Sequence, residues 1–251
     1  MTPGRLLWMI VLATSLLLTD ACNPASVRPL PAGLTVEEHA LSEAPTLEPL
    51  TFQPVDGSMD AILARHATER SKVIPLITMF LGGRFAIRTA AGSDVLTAAE
   101  NYGSDGSTGW VTVTRGDREI YSIDTGMASP VTALRGLWLY DNHWVLETAH
   151  ITHDSIGGQV SRDGEVLNDR NGYDEAFGFQ LMHSRPFYFF KKDAKLGFSY
   201  DGQDVRADYD EIPHYGCCSA SALNARQAEN MVAFFTRRHR TWYYVEVGVF
   251  R

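Results

Sequence analysis

Pro186-Phe-Tyr-Phe-Phe-Lys-Lys-Asp-Ala-Lys-Leu-Gly-Phe-Ser-Tyr200 holds two short aromatic and apolar runs, residues 186–190 and 196–200, on either side of a polar break at 191–195. Each run is too short to persist as a helix and is rich in residues that fit a pleated surface, so the stretch reads as a β-hairpin. The pattern recurs. Residues 110–114 and 119–123 flank Arg115-Gly-Asp-Arg118, whose glycine can take a positive φ. Residues 137–139 and 144–147 flank 140–143, and residues 231–235 and 241–247 flank 236–240. A helical pattern appears only at 58–70, where Met59, Ile62 and Leu63 share a face and Ser58 is placed to cap the N-terminus. From Lys72 onward the chain reads as nearly all β.

In the last run, Tyr243, Val245, Val247 and Val249 point one way and Trp242, Tyr244, Glu246 and Gly248 the other, because strand side chains alternate. The first face is expected to be core. An internal repeat is also present. Gly158-Gln-Val-Ser161, Asp163-Gly164 and Tyr173-Asp-Glu-Ala176 are echoed by Gly197-Phe-Ser199, Asp201-Gly202 and Tyr209-Asp-Glu-Ile212. The Asp-Gly pairs lie 38 residues apart and the Tyr-Asp-Glu triplets 36. The stretch from Lys195 to Ile212 resembles hairpin-repeat and propeller-type proteins, whose blades recur every ~40 to 50 residues. That resemblance implies a mainly β, propeller-like array of antiparallel meanders, about four blades in all, with a β-sandwich as the alternative.

Arg5 precedes the unbroken apolar run Leu6-Leu-Trp-Met-Ile-Val-Leu-Ala-Thr-Ser-Leu-Leu-Leu18. The run fits a secretory h-region of ~7 to 15 residues and falls short of the ~17 to 25 that cross a bilayer as a helix, so residues 1–21 are expected to be a signal peptide. Thr19-Asp-Ala-Cys22 resembles the lipobox of bacterial lipoproteins, and the resemblance implies a lipid on Cys22 that anchors the protein to a membrane of the cell envelope. Asp20 stands where that pattern prefers Ala or Ser, and Leu18 lies one position too far upstream. The alternative is ordinary cleavage after Ala21, which yields a soluble secreted or periplasmic protein. Residues 22–56 carry Pro24, Pro29, Pro31, Pro45, Pro49 and Pro54 with few aromatics, the composition of a disordered tether. Residues 57–251 remain as one β-rich domain.

The chain has 251 residues, 45% of them hydrophobic, which is ample for a core. Its net charge of −8, with no basic stripe, argues against a nucleic-acid partner. Beyond Cys22 the cysteines are Cys217 and Cys218, adjacent in sequence. Neighbouring Cα atoms lie ~3.8 Å apart while disulfides prefer ~4.4 to 6.8 Å, so a strained bridge, two thiols or a bond to another chain are the options. With His214 in Ile212-Pro-His-Tyr-Gly-Cys-Cys218 they form a candidate redox or ligand loop; two buried small hydrophobes are the plainer reading. His150, His153 and Asp154 are a candidate metal set, although strand alternation puts the two histidines on opposite faces. Asp169-Arg-Asn-Gly-Tyr-Asp-Glu175 has its glycine fourth, where a calcium loop needs it sixth, and reads as a turn.

No Gly-x-Ser-x-Gly elbow, Gly-rich phosphate cradle or cofactor motif stands in the sequence. The carboxylate pairs Asp208 with Asp210 and Asp174 with Glu175 read as surface acids. Trp110, Trp138, Trp144, Trp242, Tyr188, Tyr243 and Tyr244 are core, or a binding platform where several share an exposed face. The expectation is therefore a non-catalytic, envelope-displayed binder of a protein, glycan or small ligand. Its rival is an envelope hydrolase or redox enzyme using His214, Cys217 and Cys218, or a metal at His150, His153 and Asp154.

Overall fold

The computed structural model describes residues 30–31, 33–46, 52–70, 77–81, 84–129, 131–216 and 224–249. The expected signal peptide, Cys22, Cys217 and Cys218 lie outside them. Among the described residues the chain is predominantly antiparallel β with two helices, neither long and apolar enough to cross a membrane.

The elements follow the chain as four consecutive units. After β1 (Thr35–Ala40) and α1 (Met59–Arg70), the first unit is the meander β2 (Ile77–Leu81), β3 (Arg84–Ala91), β4 (Asp94–Tyr102), β5 (Thr108–Arg115) and β6 (Arg118–Met127). The second is β7 (Leu134–Tyr140), β8 (His143–Ile151), β9 (Ile156–Arg162) and β10 (Glu165–Val166), followed by α2 (Leu167–Asn171). The third is β11 (Glu175–Met182), β12 (Arg185–Lys192), β13 (Lys195–Tyr200) and β14 (Gln203–Tyr209). The fourth is β15 (Arg226–Gln227), β16 (Met231–Arg238) and β17 (Thr241–Gly248), completed by β1, which pairs with β17 from Thr35 opposite Gly248 to Ala40 opposite Tyr243. The first two units share one nine-stranded sheet through a parallel pairing of Gly126 with Ile151.

All four hairpins read from the sequence are present, with turns tighter than the polar breaks suggested. The flanking polar residues extend the ladders, leaving two residues at each tip. Asp141 and Asn142, Asp193 and Ala194, and His239 and Arg240 all have positive φ, the backbone twist that matches a right-handed strand pair. Asp163-Gly164 and Asp201-Gly202 have it too, so the internal repeat marks two turns of one kind placed in different units.

Apolar clusters join each unit to the next. Leu96, Val111 and Val113 of the first pack with Leu134, Leu137 and Leu146 of the second. Val145 and Val160 meet Ala176, Phe179 and Phe190, and Phe187, Phe189 and Phe198 meet Phe234, Val245 and Val247. Each such Val, Leu or Phe side chain, fully buried, contributes about 1.5 to 3 kcal/mol.

Two expectations change, the extent of the tether and the reading of α1. Within the stretch read as a tether, Leu34 and Phe52 are buried and β1 is a strand, so the folded part includes residues well before 57. The open edge of β17 offers β1 a full ladder, and that pairing overrides local composition. The face of β17 expected to be core is core, with Val245 and Val247 buried, and its other face is covered too, since Tyr244 packs with Phe52 and with Ile62 of α1. Leu63 is exposed, and the Ser58 hydroxyl donates to Asp56 and contacts His39 instead of capping α1.

Gly126 has φ +80°, and a Cβ there would stand 2.2 Å from the Ile151 carbonyl oxygen. Gly126→Ala is therefore expected to destabilise the protein by about 1 to 3 kcal/mol, read as a lower midpoint in urea unfolding followed by circular dichroism.

Candidate functional site

The second and third units meet around a cavity of about 180 Å³. Arg135 and Trp138 of β7, Glu147 of β8, and Phe177 and Gly178 of β11 line it, together with His214, Tyr215, Asn224 and Gln227. Cys217 and Cys218 lie outside the described residues, so the candidate redox loop is represented in this lining by His214 and Tyr215.

Glu147 organises the site. Strand β11 shifts register against β12 between Phe177 and Gln180, which frees two backbone N–H groups. The buried Glu147 carboxylate accepts both, from Gly178 at 2.9 Å and Phe179 at 2.6 Å, and also accepts the Tyr215 hydroxyl at 2.6 Å. Burial nevertheless holds its pKa above the ordinary carboxylate value, outweighing those three donors and the nearby Arg135 charge. Burial, then the Glu147 charge and hydrogen bond, also push the Tyr215 hydroxyl well above its usual range.

Glu175 behaves in the opposite way. Burial pushes it up, but the hydrogen bond and charge of His214, the Gly158 amide and Lys191 prevail and hold it below the usual value. His214 Nε2 stands 2.9 Å from Glu175 Oε1, and its Nδ1 donates to the Ile212 carbonyl at 2.6 Å. Both ring nitrogens thus face acceptors. The ring stacks on Phe177 at 3.5 Å between centroids. His214, the histidine singled out from the sequence, is accordingly a locked partner of Glu175.

Two carboxyl groups shifted in opposite directions are what acid–base chemistry uses. Here three protein donors engage Glu147 across both of its oxygens, while His214 and the Gly158 amide both bond Oε1 of Glu175.

The metal candidates are not brought together. His150 is half-buried in β8 near Gly126, while His153 and Asp154 are exposed in the turn that follows. Among the described residues the ligand atoms that do converge, within 4.8 Å, belong to Glu37, His39 and Glu246. Arg65 already bonds both of those carboxylates, at 2.7 Å to Glu37, so the cluster latches α1 onto β1 and β17. Ser58, Asp56 and His39 also meet, but hydroxyl and carboxylate share the same Nδ1, whereas a catalytic relay needs them on opposite ring nitrogens.

A second hollow of about 190 Å³ lies among Tyr140, Arg162, Tyr173, Tyr188 and Asp204. Tyr173 donates to both Asp204 oxygens and Arg170 bonds Glu165, so these polar groups satisfy each other. Arg135 and Glu147 escaped the sequence reading. The available signal was a glutamate in mid-strand within His143-Trp-Val-Leu-Glu-Thr-Ala-His-Ile151, where a side chain buried among apolar neighbours must find donors. No protein-family model matches this chain, and no curated protein matches its sequence.

Glu147→Ala is expected to cost about 3 to 5 kcal/mol in urea unfolding, because three donors lose their acceptor in a buried site; Glu147→Gln, which keeps one acceptor oxygen, should cost less. The lowered Glu175 pKa gives a stabilisation present above the ordinary value of 4.5 and lost as pH falls through the folded value. In His214→Ala, burial prevails and the Glu175 carboxyl should titrate higher than in the wild type, which carboxyl ¹³C NMR would read.

Proposed function

We propose that this protein is exported, held on a bacterial envelope membrane by lipid on Cys22, and displays a non-catalytic β domain that binds a ligand in the cavity between the second and third units. The observation carrying this reading is a cavity walled by Trp138, Phe177, Phe189 and Tyr215, whose lining carboxylate, Glu147, and lining histidine, His214, are each already bonded within the protein. Junctions between packed units are where ligand sites commonly form, and flat aromatic walls supply contact area. The rival hydrolase or redox reading keeps one supporting feature, the opposite shifts of Glu147 and Glu175.

The propeller-like arrangement belongs to this proposal, with a sandwich as its alternative. It is supported by four successive antiparallel units and by β1, which completes the last unit with a strand from the N-terminal side. The proline-rich stretch between Cys22 and β1 would stand the domain off the membrane.

Fatty-acid labelling in a bacterial host is expected to mark the protein and place it in the membrane fraction, and Cys22→Ser should abolish both. Label that persists in the variant would remove the anchor. A wild-type product that is cleaved and soluble would favour the secreted or periplasmic form.

A further inference from the structure

Arg135 reaches the cavity from β7, and its guanidinium lies over the Tyr215 ring, 4.3 Å from the centroid. That stacking constrains the plane of the group. Its Nε and Nη2 are buried and have no hydrogen-bond acceptor among the described residues. Nη2 lies trans to Cδ, so one of its N–H bonds runs parallel to Nε–H. Together the two make the side-on fork with which arginine grips both oxygens of a carboxylate.

The neighbouring acids do not fill this fork. Glu147 acts on Arg135 through charge, but its oxygens accept from Tyr215, Gly178 and Phe179. Glu175 is bonded to His214 and the Gly158 amide. Native structures rarely leave buried, charge-bearing donors without acceptors.

The cavity adds shape to this charge. Its volume of about 180 Å³ is on the scale that holds a benzene-sized ring, and Trp138, Phe177 and Tyr215 offer flat apolar surface.

We propose that the cavity takes a small aromatic carboxylate, its two oxygens held side-on by Nε and Nη2 of Arg135 and its ring among Trp138, Phe177 and Tyr215. This rests on the reading of the cavity as the ligand site.

The test is titration of the whole protein with benzoate and with its neutral isostere benzamide, followed by calorimetry and tryptophan fluorescence. Wild-type protein should bind benzoate at least about tenfold more tightly than benzamide. Arg135→Lys keeps the charge and loses the fork, so it should weaken benzoate about tenfold and leave benzamide unchanged. Circular dichroism would check that the variant folds, and the comparison of the two probes on wild-type protein needs no variant. Equal binding of both probes, or benzoate binding indifferent to Arg135→Lys, would overturn the carboxylate assignment while leaving the cavity as a ligand site. Saturable binding of neither would overturn the assignment and the cavity reading together.

Discussion

Where β11 breaks register with β12, the amides of Gly178 and Phe179 lose their sheet partners, and a buried amide without an acceptor is costly enough to unsettle the strand. The carboxylate of Glu147, carried on β8, supplies both acceptors. One side chain therefore ties the second unit to the third, and its Tyr215 bond fixes the loop that follows β14. From that fixed tyrosine the rest of the site follows, because Arg135 stacks on its ring and the cavity opens beside it. The same seam explains Gly158, where a Cβ would meet the Ala176 carbonyl at 2.4 Å and the Tyr215 hydroxyl at 2.8 Å.

Buried glutamates recur as fasteners between units. Glu100 of β4 accepts the Leu134 amide and the Thr132 hydroxyl at the seam between the first and second units, and also the hydroxyl of Tyr102. Glu246 of β17, fully buried, receives Arg65 from α1. The apolar clusters supply the bulk of the cohesion, being non-directional and proportional to area. The carboxylates add direction, since each sets which backbone groups stand opposite which. That division leaves the surface free to be acidic, as the net charge of −8 records, while the interior acids are occupied.

A set of titratable groups can resemble catalytic machinery and still be structural. Glu147 and Glu175 are held by two or three protein donors each, so their positions are set by the fold. The guanidinium of Arg135 differs in kind, because its buried Nε and Nη2 find no acceptor among the described residues.

The β class and the four hairpins were legible because strand pairing follows short-range patterns: apolar runs of the right length and polar tips that accept positive φ. The site candidates were legible only in part. His214 was flagged for its place beside two cysteines, yet its partner Glu175 lies 39 residues away in sequence and was read as a surface acid. Composition misled over Thr35–Ala40, because proline content describes a local preference while β1 is held by an edge more than 200 residues further along. By itself, then, the sequence determined the local elements, the turns and the expectation of export, each set by neighbours along the chain. Tertiary structure alone decided which charges were buried, which found partners and which were left over, since burial and hydrogen-bond partnership depend on contacts between residues that no local pattern relates.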